Sequence, residues 1–560
     1  MSWYLEIGFG MQPTQNHQTP VADSVTTSDR REEGNTTVKR QAPSLRQIAL
    51  LSAIALLVLA TPSAVFAQAK TLSIANEGIA DLPSLDPHLT GNANSRVFTN
   101  LVFNGLARID GNGKAVPDLA TWTVSPDGRT YTFTIQPGAR FSTGAPVTSA
   151  DVVWSLNRAL SPATASKGGF GIVYLGIIQG ARDYNSGTTT AIEGVKAVDD
   201  TTLTIELTNA AAYFPSTLYG SWAAIMEEAS GEDFVGAGPF QMANWAHGQS
   251  ITVKPNPYYF GGVAQLDEVT VKFYANPDTA YNAYLTGAVD VMGAVHFPSS
   301  KVPEASQRSD FSSNAILGLT YLVPNTRIAP FDDPTVRLAF SYAIDRKALA
   351  SLLGGMVSPT SDIVPHGLVC HSGDPAAPSY NPETAARLLS EAGYPGGAGL
   401  PALTYTYGAN SPDQDRIAAA LQQMWQQALG VQVNLNAMEM GSYLEVLDAR
   451  TFQLAMIEWG ASTDPRSFLS LQLRSDSGGN NAGYNNQRFD ELTRAADVET
   501  VIETRCTLYQ EAEAIALSEA AWFPLYNPTV NVLIRPSVTG LGLGPLGLYA
   551  DNWAKVGRSE

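Results

Sequence analysis

Between residues 402 and 460 short apolar runs alternate with stretches of helical spacing: ALTYTYG, DQDRIAAALQQMWQQALG, VQVNLNAME, GSYLEVLDAR and FQLAMIEWG. Period-two and period-3.6 patterns demand different backbones. Strands that alternate with helices are satisfied by a three-layer α/β domain whose sheet is partly parallel. Upstream, DPTVRLAFSYAIDRKALASLL reads as one helix with Pro334 in its first turn. YNPETAARLLSEAGYPGG reads as another, with Asn381 as cap, Pro382 at the first position and Gly393 just past the end.

The first half is richer in strands. TLSIANEG, from Thr71, is extended, and Val97, Leu101, Val102 and Leu106 then recur at helical spacing. Tyr131, Phe133 and Ile135 alternate along a half-buried strand that ends at Pro137-Gly138. TSADVVWSLNRAL is a helix with Asp151 in its first turn, where negative charge is favoured. TLTIEL, GAGPFQMANW, SITVKPN and EVTVKFY are strands, and PDTAYNAYLTG is a helix that stops at Gly287. A late extended run, AWFPLYNPTVNVLI, completes a path that leaves a first lobe, builds a second and returns.

A chain of 560 residues is too long for one hydrophobic core. Asp and Glu outnumber Lys and Arg by 52 to 34, and no basic block occurs, which argues against nucleic-acid binding. Lys39, Arg40 and Arg46 precede an apolar run from Ile48 to Ala60, followed by Val65-Phe66-Ala67. That is the layout of a secretory signal over 38–67, cleaved after Ala67. The run is too short to span a bilayer, and no cysteine follows it to carry a lipid. Residues 1–37 read as an early-called start or a disordered leader. Cys370 and Cys506 are either a disulfide, as export permits, or two buried thiols.

Motifs of catalysis are scarce. Gly542, Gly544 and Gly547 form a GxGxxG string, but Pro545 sits inside it and the chain ends too soon for a βαβ unit, so it reads as a glycine-rich loop. His366, Cys370 and His371 lie close together without a fourth ligand at a recognisable spacing, and loop histidines are the plainer reading. There is no GxSxG, HExxH or P-loop, and Asp332-Asp333 sits in a turn. We expect no metal, cofactor or catalytic residue. An exported chain of two lobes, rich in aromatics and lacking a nucleophile with its base, reads as a binding protein rather than a secreted hydrolase. A chaperone or sensor on the same scaffold is the other class. The stretch MIEWGASTDPRSFL, Met456 to Leu469, is the most site-like, although Asp464-Pro465 is also an ordinary turn pair.

SLDPH, VPDLATWTVSPDGRTYTFTIQPGARFSTGAPVTSADVVWSLNRAL, GAGPFQMANW, NPYYFGG, AYLTGAVDVM, PFDDPTVRLAFSYAIDRKAL and YNPETAARLLSEAGYPGG occur in that order. Together, from about Thr71 to Trp553, they resemble the extracellular solute-binding proteins of family 5. These serve ABC importers of oligopeptides, dipeptides, nickel chelates, glutathione and some opines or sugars. The resemblance implies a two-lobed type II periplasmic binding protein fold with two hinge crossings and a ligand cleft between lobes. Lobe I would hold 69–314 and 524–560, with an extra subdomain over 109–229, and lobe II 315–523. It also implies a soluble periplasmic monomer that captures peptides or peptide-like solutes and docks on a membrane permease with its ATPase. An opine, sugar conjugate or nickel chelate is the alternative ligand.

The family's peptide binders place an aspartate three residues after a tryptophan, to hold the ligand's amino terminus. Trp459 matches, but Ser462 stands in the aspartate's place. The dipeptide binders' arginine for the ligand carboxylate falls near Gly408 or Ala409, where none is present. Trp459, Gly460 and Ser462 are therefore expected to touch ligand, with Asp464 at the cleft rim. Leu82 and Tyr321 complete the expected set. An ammonium buried without a counter-charge is costly, so Asp464, Asp81 or Glu77 would have to supply the charge, or the ligand is not a free-amine peptide.

Overall fold

The strand Phe523–Ile534 joins the two halves of the molecule. Its first residues pair antiparallel with Leu319–Pro324, and its last with Phe311–Ala315 and Val291–Met292. The computed structural model describes residues 69–559 apart from 230–233, 372, 374–376, 409–411 and 461. The leader and signal over 1–67, and Ala409, lie outside the described residues.

Beyond Leu319 the sheet has the mixed character expected from the alternating pattern. Leu403–Gly408 runs parallel to both Val433–Met438 and Leu454–Trp459, and the last of these is antiparallel to Leu319–Pro324. The helices Pro412–Leu429 and Met440–Ala449 make the crossovers. Both faces of this sheet are covered. Ala455 and Ile457 enter a core with Tyr321 and Trp522, while Leu454 and Met456 enter another with Phe340 and Trp425. Two-sided burial explains why LAMI is continuously apolar rather than alternating.

In the first half Thr71–Glu77 lies parallel to Glu268–Tyr274, which pairs antiparallel with Ser250–Pro255, itself paired with Phe240–Ala246. A separate four-stranded sheet holds Ala120–Val124, Thr130–Ile135, Thr202–Glu206 and Val195–Ala197, and has its own core around Phe133, Leu156, Ile205 and Phe214. The helix Ser149–Leu160 packs there. Thr148 and Asp151 form a reciprocal capping box, satisfying backbone donors that a helix end leaves open. Asn381 caps Pro382–Glu391 through the Thr384 amide, and Gly393 takes φ +93° just beyond the end.

Three expectations are corrected or settled. The run 333–353 is two helices, Pro334–Tyr342 and Arg346–Leu352. Asp345 caps the second by accepting from the Lys347 and Ala348 amides. Arg346 is buried and donates to the carbonyls of Pro524 (2.6 Å) and Pro378 (3.2 Å), so the break aims a guanidinium at the returning strand. The GxGxxG residues lie in a small hairpin of Gly542–Gly544 with Gly547–Tyr549. Cys370 and Cys506 are joined in a disulfide across 136 residues of chain, which removes the thiolate from the His366, Cys370, His371 trio.

Candidate functional site

The chain crosses from one half to the other through Ile316, Leu317 and Gly318. The returning strand clamps this segment. The Ile316 amide donates to the Pro528 carbonyl at 2.9 Å, and Asn527 Nδ2 donates to the Gly318 carbonyl at 2.8 Å. Leu317 lies between them. Its amide donates to the Pro545 carbonyl at 3.0 Å, and its own carbonyl accepts from the Ser462 amide at 2.9 Å. The stretch that follows Trp459 is thus fastened to the crossing point itself.

Trp459 is the last residue of Leu454–Trp459, opposite Leu319, and packs half-buried on the core that holds Tyr321. Gly460 is also half-buried. The Ser462 hydroxyl donates to Ser467 Oγ at 2.6 Å, which closes the loop on itself. The structure therefore brings Trp459, Gly460 and Ser462 together at the crossing.

Asp464 is not at a rim. It is 8% exposed, and both oxygens engage Arg505 at 2.8 Å in a bidentate pair. One oxygen also accepts from the Arg466 amide at 2.9 Å and so caps the short turn Pro465–Ser467. Arg505 comes from the helix Ile502–Ser518. Its guanidinium is desolvated, yet Asp464 holds its pKa above the ordinary value. Tyr213, from the first half, lies over Arg466 (5.0 Å) and Arg505 (5.7 Å) and seals the pair from water. This aspartate is spent on the fold.

Other expected residues are likewise engaged. Glu77 ends the strand Thr71–Glu77, and its carboxylate accepts from the amides of Gly293 (2.6 Å), Val295 (3.2 Å) and His296 (3.4 Å). Burial pushes its pKa up to about 7, against those amides. Asp81 accepts from Trp245 Nε1 (2.8 Å), His247 Nδ1 (2.9 Å) and the Gly248 amide (3.0 Å). Partial desolvation raises its pKa, but the His247 and Trp245 bonds outweigh that and the net shift is downward. Leu82 is core, and Tyr321 is fully buried and stacked on Trp522 with centroids 3.8 Å apart. Neither side chain is accessible to a solute in this conformation. Separately, a cavity of about 440 Å³ lies among Arg96, Arg108, Asp118, Trp222, Tyr259 and Tyr549. None of the eight expected residues lines it.

The sequence reading passed over Glu458. It breaks the apolar run LAMIEW one residue before Trp459, and that break was the available signal. Its neighbour across the ladder is Thr320, whose neighbour on the far side is Tyr526. Glu458 is exposed while Thr320 and Tyr526 are buried.

Comparison with known proteins gives the class. Residues 114–481, well over half of the chain, match the bacterial extracellular solute-binding proteins, family 5 (middle region). The chain belongs to this family, whose members bind solutes and are not enzymes. It is 29% identical to the oligopeptide-binding protein OppA of Bacillus subtilis over 79% of this chain and 85% of that one. It is 30% identical to the probable deoxycholate-binding periplasmic protein YgiS of Escherichia coli, over 83% and 89% respectively. The murein tripeptide-binding protein MppA of Escherichia coli superposes with a TM-score of 0.72 at 27% identity, covering 89% of this chain and all of that one. The two-lobed periplasmic binding protein fold follows. Among the described residues, no helix is long and apolar enough to cross a membrane.

Proposed function

We propose that this protein is the exported, periplasmic solute-capturing component of an ABC importer, and that it encloses a peptide or peptide-like solute between its lobes. One lobe comprises 69–314 with 524–560 and the other 315–523, with the extra subdomain over 109–229. The observation that carries the reading is the clamped crossing. Two segments, 316–318 and 527–529, connect separate cores, and Trp459, Gly460 and Ser462 sit beside them. A cleft wall at a hinge is where lobe closure brings both halves onto a solute. The relatives' names favour peptides, and the disulfide suits an oxidising compartment. The permease and ATPase partners follow from the importer reading.

The test combines native mass spectrometry of protein purified without denaturation with solution scattering. The expected result is a retained or added peptide, a smaller radius of gyration and a raised melting temperature, because the ligand binds only the folded state. Failure of every member of a peptide, opine and sugar panel to move either quantity would sink this function.

A further inference from the structure

Three carboxylates were expected to supply the counter-charge that Ser462 cannot. Asp464 is taken by Arg505, Asp81 by Trp245 and His247, and Glu77 by three backbone amides. Glu458 is different. No hydrogen bond or ion pair engages it among the described residues, and no arginine or lysine contributes to its electrostatics. It lies on the strand that carries Trp459, at the end nearest the crossing. Side chains of a strand alternate, so Glu458 points opposite to Trp459, on the face of Leu454 and Met456. There it shares one face with Thr320 and Tyr526 across three adjacent strands. Thr320 and Tyr526 are buried beneath it, at 0% and 7% exposure.

The residue is exposed as a whole, yet the surrounding protein desolvates its carboxylate enough to raise its pKa. Its neighbours across the ladder, the buried Thr320 and Tyr526, withdraw water from one side of it. A charge held in that position without a partner costs stability, and a cation arriving there would recover the loss.

We infer that Glu458, at the head of the Thr320–Tyr526 face, receives an ammonium or guanidinium group of the captured solute. This rests on the capture function proposed above and adds the chemical class of the ligand: it carries a positive charge. The family's amine-holding aspartate is thereby replaced by a carboxylate four residues earlier in the chain, reaching from the other face of the strand.

The test is capture from a tripeptide library, half of it N-acetylated, with members read by mass spectrometry. Wild-type protein should enrich members bearing at least one ammonium or guanidinium group tenfold or more over members bearing none. Glu458→Gln should bring that preference to within about twofold. Without peptide it should melt at or above the wild-type temperature, since a desolvated, unpaired charge is exchanged for its neutral isostere. Equal capture of uncharged members, or an undiminished preference in Glu458→Gln, overturns the assignment and leaves solute capture standing. Capture of nothing by wild-type protein overturns both.

Discussion

Asp464 and Glu458 lie in the same short stretch of chain and have opposite fates. Asp464 is buried, bidentate to Arg505 and roofed by Tyr213. Glu458 is exposed at the end of its strand and, among the described residues, unpaired. In the sequence Asp464 looks more functional, because it sits in a turn after a tryptophan. The structure shows its carboxylate already engaged by Arg505 and the Arg466 amide. A carboxylate whose hydrogen-bonding capacity is filled by its own protein has little left for a ligand, whereas one left without a partner has its whole charge to offer.

The largest effect should come from breaking the paired side. Asp464→Ala leaves the Arg505 guanidinium, 2% exposed, without its bidentate partner and with only the more distant Asp497 as counter-charge. Removing one partner of a buried ion pair costs about 3–5 kcal/mol. Urea melts should show that loss, and a loss below about 1 kcal/mol would mean that the pair is solvated and the contrast with Glu458 unfounded.

Cys506 adjoins Arg505, so the same helix is tied to Cys370 as well. Closing so long a loop restricts the unfolded chain, and reduction should cost about 2–4 kcal/mol. Thermal melts with and without dithiothreitol measure this. An unchanged melting temperature would confine the helix's anchoring to Arg505.

Glu77 is the intermediate case, buried and bonded to amides but with no cation. Its folded pKa, about 7, stands above the ordinary 4.5. The folded state then keeps a proton that the unfolded chain releases. Its stability contribution is full below pH 4.5 and is lost as pH rises through 7, by roughly 3 kcal/mol in all. Glu77→Gln should lose less stability than wild type between pH 5 and pH 8 in paired urea titrations. Parallel slopes would show that the carboxylate is solvated after all.

The smallest effect on folding should come from the open side. Trp459→Ala is expected to leave the melting temperature within a few degrees of wild type and to weaken solute binding by about 2 kcal/mol in calorimetry. Wild-type affinity in this variant would remove the strand end from the site.

What could be read beforehand was local. Thr148 with Asp151, and Asn381 with Gly393, sit within one helix, so their spacing carries the information. The partly parallel sheet was legible because helices intervene between its strands. What escaped depends on distant partners. Nothing near Asp464 announces Arg505, which lies 41 residues on. Nothing near Ala343 says that the helix must break so that Arg346 can reach Pro524 and Pro378. The pairing of Cys370 with Cys506 could not be chosen over two thiols. Glu458 escaped for another reason: a lone polar residue in an apolar run reads as a solvated strand end until its neighbours are known.

The strand Phe523–Ile534 has a consequence for the order of events in synthesis. It lies inside the sheet, between Leu319–Pro324 on one side and Val291–Met292 on the other, yet it follows both of them by about 200 residues or more of chain. Phe523, Leu525 and Tyr526 complete one core and Leu533 another. A nascent chain that stops short of them has two unfinished interiors and an open ladder edge in each half. Such long-range pairing is slow to form, so neither half can close its main sheet before this strand is available, although the four-stranded sheet over 120–206 has a core of its own.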